Sequence, residues 1–222
     1  MAKKLAQACL ALALPLMALP SSGAAPESAL AAPDPAALVA SLAQSPPART
    51  RFTEVRFSGL LDRPLILSGE LEYLGPGQLA KHVASPWQET IRVEAGEAVI
   101  QRGDKPPRRV ALAQVPELEG FLRGFSALLG GDAPALARDF ELAVQGSAAN
   151  WQLHLKPRDA RLARRISAIE VDGRGSTARC FQTRDADDDL GILLVADLAT
   201  IDLPTRPSSR RLQALCRGLV AP

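Results

Sequence analysis

Ser126 stands in the stretch GFSALLG, and a serine between glycines is where an acyl-transferring nucleophile is first sought. Activating such a serine takes a strained strand-to-helix turn with the spacing G-x-S-x-G. Here the second glycine is displaced and the stretch lies inside an apolar helical stripe, so no nucleophile is read. The two histidines, His82 and His154, each fall on the polar side of an alternating strand without a cysteine or carboxylate cluster at ligand spacing, and read as solvated side chains rather than metal ligands. DADDDLGILLVAD offers Asp185, Asp187 and Asp189 in the manner of a calcium loop, but Leu190 holds the sixth position, where glycine is required, and Ala196 the twelfth, where glutamate is required. It reads as an acidic hairpin turn. GPGQL, from Gly75 to Leu79, lacks the third glycine and the strand-to-helix setting of a dinucleotide loop, and is also a turn. Paired carboxylates for glycoside hydrolysis are defined by a separation in space, which leaves a hydrolase with dispersed carboxylates as the enzymatic alternative. The local chemistry points away from catalysis, metal and cofactor, and toward binding.

The elements that would position a binding surface are legible in the apolar spacing. Asp34 is placed to cap a short helix with Pro35 at its first position and Leu38, Val39 and Leu42 along one side, ended by Pro46-Pro47. Beyond it the period changes to two. In FTEVRFSGLLDRPLILSGELEYL, residues 52–74, two strands meet at a bend, and Leu65, Leu67, Leu71 and Tyr73 alternate with Ser68, Glu70 and Glu72. Trp87, Ile91 and Val93 repeat the pattern, with Glu89 interrupting the apolar side, and further strands are predicted over 79–83, 98–102 and 108–113. Short polar, Gly or Pro connections favour antiparallel neighbours. The run is broken by PELEGFLRGFSALLGGD, in which Leu118, Phe121, Leu122, Phe125, Leu128 and Leu129 form the stripe of an amphipathic helix stopped by Gly130 and Gly131. Asp132 and Pro134 predict a second short helix, after which alternation returns at Phe140, Leu142 and Val144 and continues through Trp151, Leu153 and Leu155. Asp172-Gly173 predicts a hairpin turn between strands over 166–171 and 176–183, and a last strand covers 190–195. The sum is an α+β protein, mainly β: about ten short strands in a curved antiparallel sheet with helices against its apolar concave face, or, alternatively, a sheet closed around its own side chains.

Lys3 and Lys4, an apolar run from Leu5 to Leu19 and the small residues Ser22-Gly23-Ala24 predict a signal peptide over residues 1–24, followed by a flexible mature N-terminus over 25–34. The apolar run falls short of the roughly 20 residues of a membrane span, so export is expected. The chain has 26 Lys+Arg against 24 Asp+Glu, and loss of Lys3 and Lys4 leaves 24 against 24. A neutral chain carries no electrostatic footprint for nucleic acid. Export permits Cys180 and Cys216 to pair, and two separate buried thiols is the equal alternative. Residues 204–222 form a C-terminal extension whose small helix places Leu212, Leu215, Cys216 and Leu219 on one side for docking onto the sheet.

Arg51-Phe52-Thr53-Glu54, PLILSGELEYLGPGQL, SPWQETIRV, FSALLGGD, FELAV and WQLHLKP, taken in this order and spacing over most of residues 35–197, resemble the periplasmic outer-membrane lipoprotein carriers of the LolA type, and more closely a divergent LolA-like branch. That resemblance implies an incomplete antiparallel β-barrel over residues 35–203, a helical lid, and an apolar cavity holding the acyl chains of a lipoprotein or lipid in transit from an inner-membrane exporter to an outer-membrane acceptor. It implies a monomer in the periplasm, without cofactor or catalysis. The expected cavity lining is Val55, Phe57, Leu65, Leu67, Leu71, Tyr73, Trp87, Ile91, Val93, Leu142, Val144, Trp151, Leu153 and Leu155, under a lid bearing Leu118, Phe121, Leu122, Phe125 and Leu129. Typical carriers of that type place an arginine that holds the lid shut before the proline of the turn, where this chain has Gly75 before Pro76. The alternative is a periplasmic adaptor protein of a lipid or polyene export system, with a filled core, that binds a protein partner.

Overall fold

The computed structural model describes residues 32–221. The predicted signal peptide and residues 25–31 lie outside the described residues. Period-two alternation becomes eleven strands: β1 Ala48–Phe57, β2 Leu65–Gly75, β3 Gln78–Ser85, β4 Glu89–Glu94, β5 Glu97–Arg102, β6 Arg108–Ala111, β7 Phe140–Ser147, β8 Asn150–Pro157, β9 Ile166–Arg174, β10 Thr177–Asp185 and β11 Leu190–Val195. They form one sheet in the order β6-β5-β4-β3-β2-β1-β11-β10-β9-β8-β7, with β1 bridging the two meanders through its antiparallel pairing with β11. The two edges, β6 and β7, do not pair with each other, so the barrel is incomplete.

β6 and β7 follow one another in sequence yet occupy opposite edges. The chain between them must therefore cross the sheet, and it does so as α2 Pro116–Leu129 and α3 Ala133–Asp139. The apolar stripe of α2 gives it a side to bury. Pro116 opens it without wasting a backbone donor, and Gly131, at a positive φ of 70°, turns the chain out of it. Asp132 accepts from the Ala135 N–H at 2.9 Å and starts α3. Helix α1, Pro35–Ser41, is capped by Asp34 in the same way and buries Leu38 and Val39. The three helices cover the inner face of the sheet, where Phe52, Leu128, Leu136, Phe140, Leu153 and Val171 form a filled core.

The outer face has a core of its own. Helix α5, Ser209–Cys216, lays Leu212 and Leu215 over Val55, Ile192 and Leu194, and a disulfide joins Cys180 on β10 to Cys216 with Cα atoms 5.7 Å apart. Of the two alternatives for the cysteines, pairing is the one found.

Leu219, expected on the docking side with Leu212, Leu215 and Cys216, lies beyond the end of α5 and is 72% exposed. Two further expectations are corrected. The predicted turn at Asp172-Gly173 lies inside β9, and the chain reverses instead at Gly175, whose φ of 53° is left-handed. Gly173 makes room for a ring instead, because a Cβ there would collide with Trp151, whose Nε1 donates to the Gly175 carbonyl at 2.7 Å. The second correction concerns Val55 and Phe57. Register pairs Glu54 with Leu67 and Arg56 with Leu65, so alternation sends Val55 and Phe57 to the outer side, into the cluster under α5. The single-turn helix α4, Ala160–Ala163, is too short for any stripe to announce.

Candidate functional site

The expected lining residues divide into a closed group and a half-open group. Trp151, Leu153, Leu155, Leu67, Val93 and Tyr73 face inward and are buried in filled clusters. Leu65, Leu71, Trp87, Ile91, Leu142 and Val144 are only half-buried. Five of these six pack against the buried core from its margin, and Ile91 shares the inward row of Lys81 and Leu71. From the lid, Leu118, Leu122 and Leu129 pack on the Tyr73–Leu79–Val93 cluster of β2 to β4. Phe121 and Phe125 turn the other way along the stripe. Their rings stack 6.2 Å apart, and Phe125 meets Phe181 of β10 edge-on at 5.3 Å. Phe125 thus touches both inner clusters, and α2 lies between the two halves of the sheet with its leucines toward β2 to β4 and its aromatic rings toward β10.

Charged side chains also stand on this inward side that the apolar spacing does not mark as site residues, Glu54, Lys81 and Arg56 foremost. Glu54, with its side chain 12% exposed, takes an ion pair from Lys81 of β3 and a 2.7 Å bond from Arg56 Nε. The Lys81 ammonium also lies over the Phe52 ring, 4.8 Å from its centroid. Burial pushes the Glu54 carboxyl up, but Lys81 and Arg56 together outweigh it and hold the group below its ordinary value. The sequence signal for these residues is a charge on the apolar side of an alternating strand: Leu79-x-Lys81-x-Val83 and Phe52-x-Glu54-x-Arg56. Glu89, the interruption noted in β4, is a fourth case and pairs with Arg102 at 2.5 Å, whose guanidinium lies 5.2 Å from the Trp87 ring centroid.

The lid is fastened at its C-terminal half. Ser126, buried on α2, accepts a 2.8 Å hydrogen bond from the Gly77 N–H in the β2–β3 turn, beside Gly75 and Pro76. The turn that lacks the arginine therefore still reaches the lid, through its backbone. Arg123 of α2 adds a two-pronged bond to Asp139 at 2.8 Å for each prong. Gln44 N–H bonds the Leu129 carbonyl at 2.8 Å.

The remaining chemistry-bearing residues lie elsewhere. His82 and His154 are on the outer side, near Glu72 and Glu170 respectively. Asp185 accepts from the N–H groups of Asp187 and Asp189 at 2.9 Å each, which folds the acidic turn on itself. Among the described residues no cluster of three or more His, Cys, Asp or Glu side chains has metal-holding geometry, and no helix is long and apolar enough to cross a membrane.

Residues 24–219 match the model of a protein family described as outer membrane lipoprotein carrier protein LolA-like, a stretch that includes α5 and its disulfide. No curated protein matches the sequence. Among solved structures, a LolA superfamily protein from Nitrosomonas europaea is 11% identical and covers 75% of this chain and 92% of its own, with a TM-score of 0.42. A DUF1329 family protein from Desulfovibrio piger is 11% identical and covers 76% of this chain and 92% of its own, with a TM-score of 0.41.

Proposed function

The chain belongs to the LolA-like outer membrane lipoprotein carrier family, and from that premise we propose that it is a periplasmic carrier holding the acyl chain of a lipoprotein or lipid between its inner face and α2. The observation that carries this reading is the half-open apolar margin under the lid: Leu65, Leu71, Leu142 and Val144 on the sheet and Phe121 and Phe125 on the helix remain partly accessible, although they border a filled core. Burying a methylene contributes about 0.8 kcal/mol, so a chain of roughly 16 carbons offers on the order of 12 kcal/mol before ordering costs. Lifting the Phe121 and Phe125 rings off the sheet exposes apolar surface that an acyl chain then covers, so loading exchanges one apolar contact for another. Release to an acceptor requires the reverse exchange, and a lid tied by a few bonds permits it.

The test is direct. The full-length protein, purified without detergent, is extracted with organic solvent and the extract weighed by mass spectrometry. Stoichiometric acyl chains support the carrier, and their absence across several growth conditions counts against it. A protein-binding adaptor is the second reading, favoured by Leu60, 95% exposed, and Leu61 beside it on the β1–β2 loop. An adaptor yields no lipid in that experiment, and its partner binding depends on Leu60.

A further inference from the structure

The inner face is asymmetric in charge. Register aligns one inward row as Val144–Leu153–Val171–Phe181–Leu193 across β7 to β11, and a second as Leu142–Leu155–Ile169–Thr183–Gly191. Both rows are uncharged along their whole length. Continued onto β1, the first meets Glu54 and the second meets Arg56. Neighbouring strands are about 4.8 Å apart, so each row runs about 24 Å from β7 to β1, longer than the roughly 15 Å of one leaflet of a bilayer's hydrocarbon core. On the β1 to β6 half the inward register positions carry two carboxylates, Glu54 and Glu89, against four cations, Arg56, Lys81, Arg102 and Arg108. Glu89 is matched by Arg102. Glu54 is shared by Lys81 and Arg56, which leaves one positive charge in excess where the uncharged rows end.

A hydrocarbon track that ends on a single excess cation is the negative image of an amphiphile with one anionic head. The two cations already close around a carboxylate, that of Glu54, which sets the size and shape of the head they accept. We infer that the cargo is a long-chain carboxylate whose tail takes the place of the Phe121 and Phe125 rings against Phe181 and Leu193, at the β10–β11 end of the first row, and whose head binds Lys81 and Arg56 on the neighbouring β1 and β3. This rests on the carrier reading and adds to it the polarity of the cargo. A neutral chain gains only the apolar burial, whereas the carboxylate also gains charge-assisted bonds in a half-buried setting.

Three single-chain probes of equal length separate the terms: dodecanoate, 1-dodecanol and dodecyl phosphate, titrated calorimetrically into delipidated full-length protein. Dodecanoate should bind at least about tenfold more tightly than dodecanol, the factor expected of a charge-assisted bond. The double variant Glu54→Gln/Lys81→Met removes the buried pair together and avoids stranding one charge. It and the exposed-site variant Arg56→Met should each shrink that preference. Equal binding of dodecanoate and dodecanol by the unaltered protein overturns the inference and leaves the carrier reading standing. Tighter binding of dodecyl phosphate overturns the carboxylate assignment, as does a preference for dodecanoate that survives in both variants. Binding of none of the three overturns the inference and the carrier reading together.

Discussion

Replacing Ser126 by alanine removes a hydrogen bond between α2 and the β2–β3 turn, the 2.8 Å bond from the Gly77 N–H. A neutral hydrogen bond contributes about 0.5–1.5 kcal/mol net. Gly77 is exposed, so water takes over its N–H whenever the bond opens, and the loss falls at the low end, about 0.7 kcal/mol. Alanine is the better helix former, but that advantage cancels if the lid lifts as an intact helix, because α2 is helical both before and after. The apolar contacts of Leu118, Leu122 and Leu129, and the Arg123–Asp139 bonds, are left in place. The open population should therefore rise about threefold, since about 1.4 kcal/mol is a factor of ten, while global stability moves little. Stopped-flow release of a bound fluorescent acyl chain is the assay: Ser126→Ala should release about threefold faster at unchanged urea midpoint. An unchanged release rate in a variant that still loads the probe refutes the latch. A faster rate accompanied by a matching loss of global stability refutes it as well, because general loosening then accounts for the effect.

Three further outcomes follow from the buried charges and the disulfide. Asp172 is 1% exposed, and burial pushes its carboxyl up despite bonds from Gln152 at 2.9 Å and Gln182 at 2.5 Å and the nearby Arg217 charge. A raised folded pKa means that the charge costs stability above it and that the cost fades as pH falls through it. Asp172→Asn keeps an acceptor for Gln152 and, with the Gln182 amide turned so that its unpartnered Oε1 accepts from the new NH2, should gain about 1 kcal/mol at neutral pH and lose that advantage in acid, and urea titrations showing a less stable variant at neutral pH would contradict it. Glu54 has the opposite sign: its folded pKa is lowered, so its stabilisation is full above its ordinary 4.5 and disappears as pH falls through the lowered value. The stability gap between wild type and Glu54→Gln should accordingly be largest at neutral pH and close in acid, and a constant gap would count against the pair. The disulfide closes a 36-residue separation, for which chain entropy gives about 4 kcal/mol; Cys180→Ala/Cys216→Ala should lower the urea midpoint accordingly, and an oxidised protein no more stable than this variant would exclude the cross-link as a determinant of stability.

The strands and the lid helix were legible because each has one buried side. The six apolar positions of α2 and the alternation in β2, β4, β7 and β8 point to faces that the structure does bury. β1 defeated the same reasoning. It is a central strand covered on both sides, by the inner core and by α5, so its alternation of Val55 and Phe57 against Glu54 and Arg56 suggests an apolar lining on the wrong face. The residue that seals the outer face, Cys216, is 36 positions from its partner, beyond the reach of any local pattern. Glu54 and Lys81 were visible only as breaks in an apolar rhythm, and a break carries no sign of which distant charge answers it. Asp172-Gly173 failed for a steric reason, since its glycine accommodates Trp151 rather than a turn.

The two covered faces also explain how a chain of this size can leave part of its interior loosely closed. Local opening is tolerated where other contacts already secure the fold. Here the outer cluster of Val55, Ile192, Leu194, Leu198, Leu212 and Leu215, locked by the disulfide, holds β1, β10 and β11 together without help from the lid. The filled part of the inner core, from Phe140 through Leu153 to Val171, holds β7 to β9. Helix α2 buries Leu128 in that core and lays Leu118, Leu122 and Leu129 on the Tyr73–Leu79–Val93 cluster, while its Phe121 and Phe125 rings reach only the half-buried margin and Phe181. Lifting those two rings costs contacts that an incoming hydrocarbon chain can replace, while the leucine contacts of α2 with the two clusters stay in place. The proposed carrier needs that division: the contact that yields must be weak relative to the contacts that define the sheet.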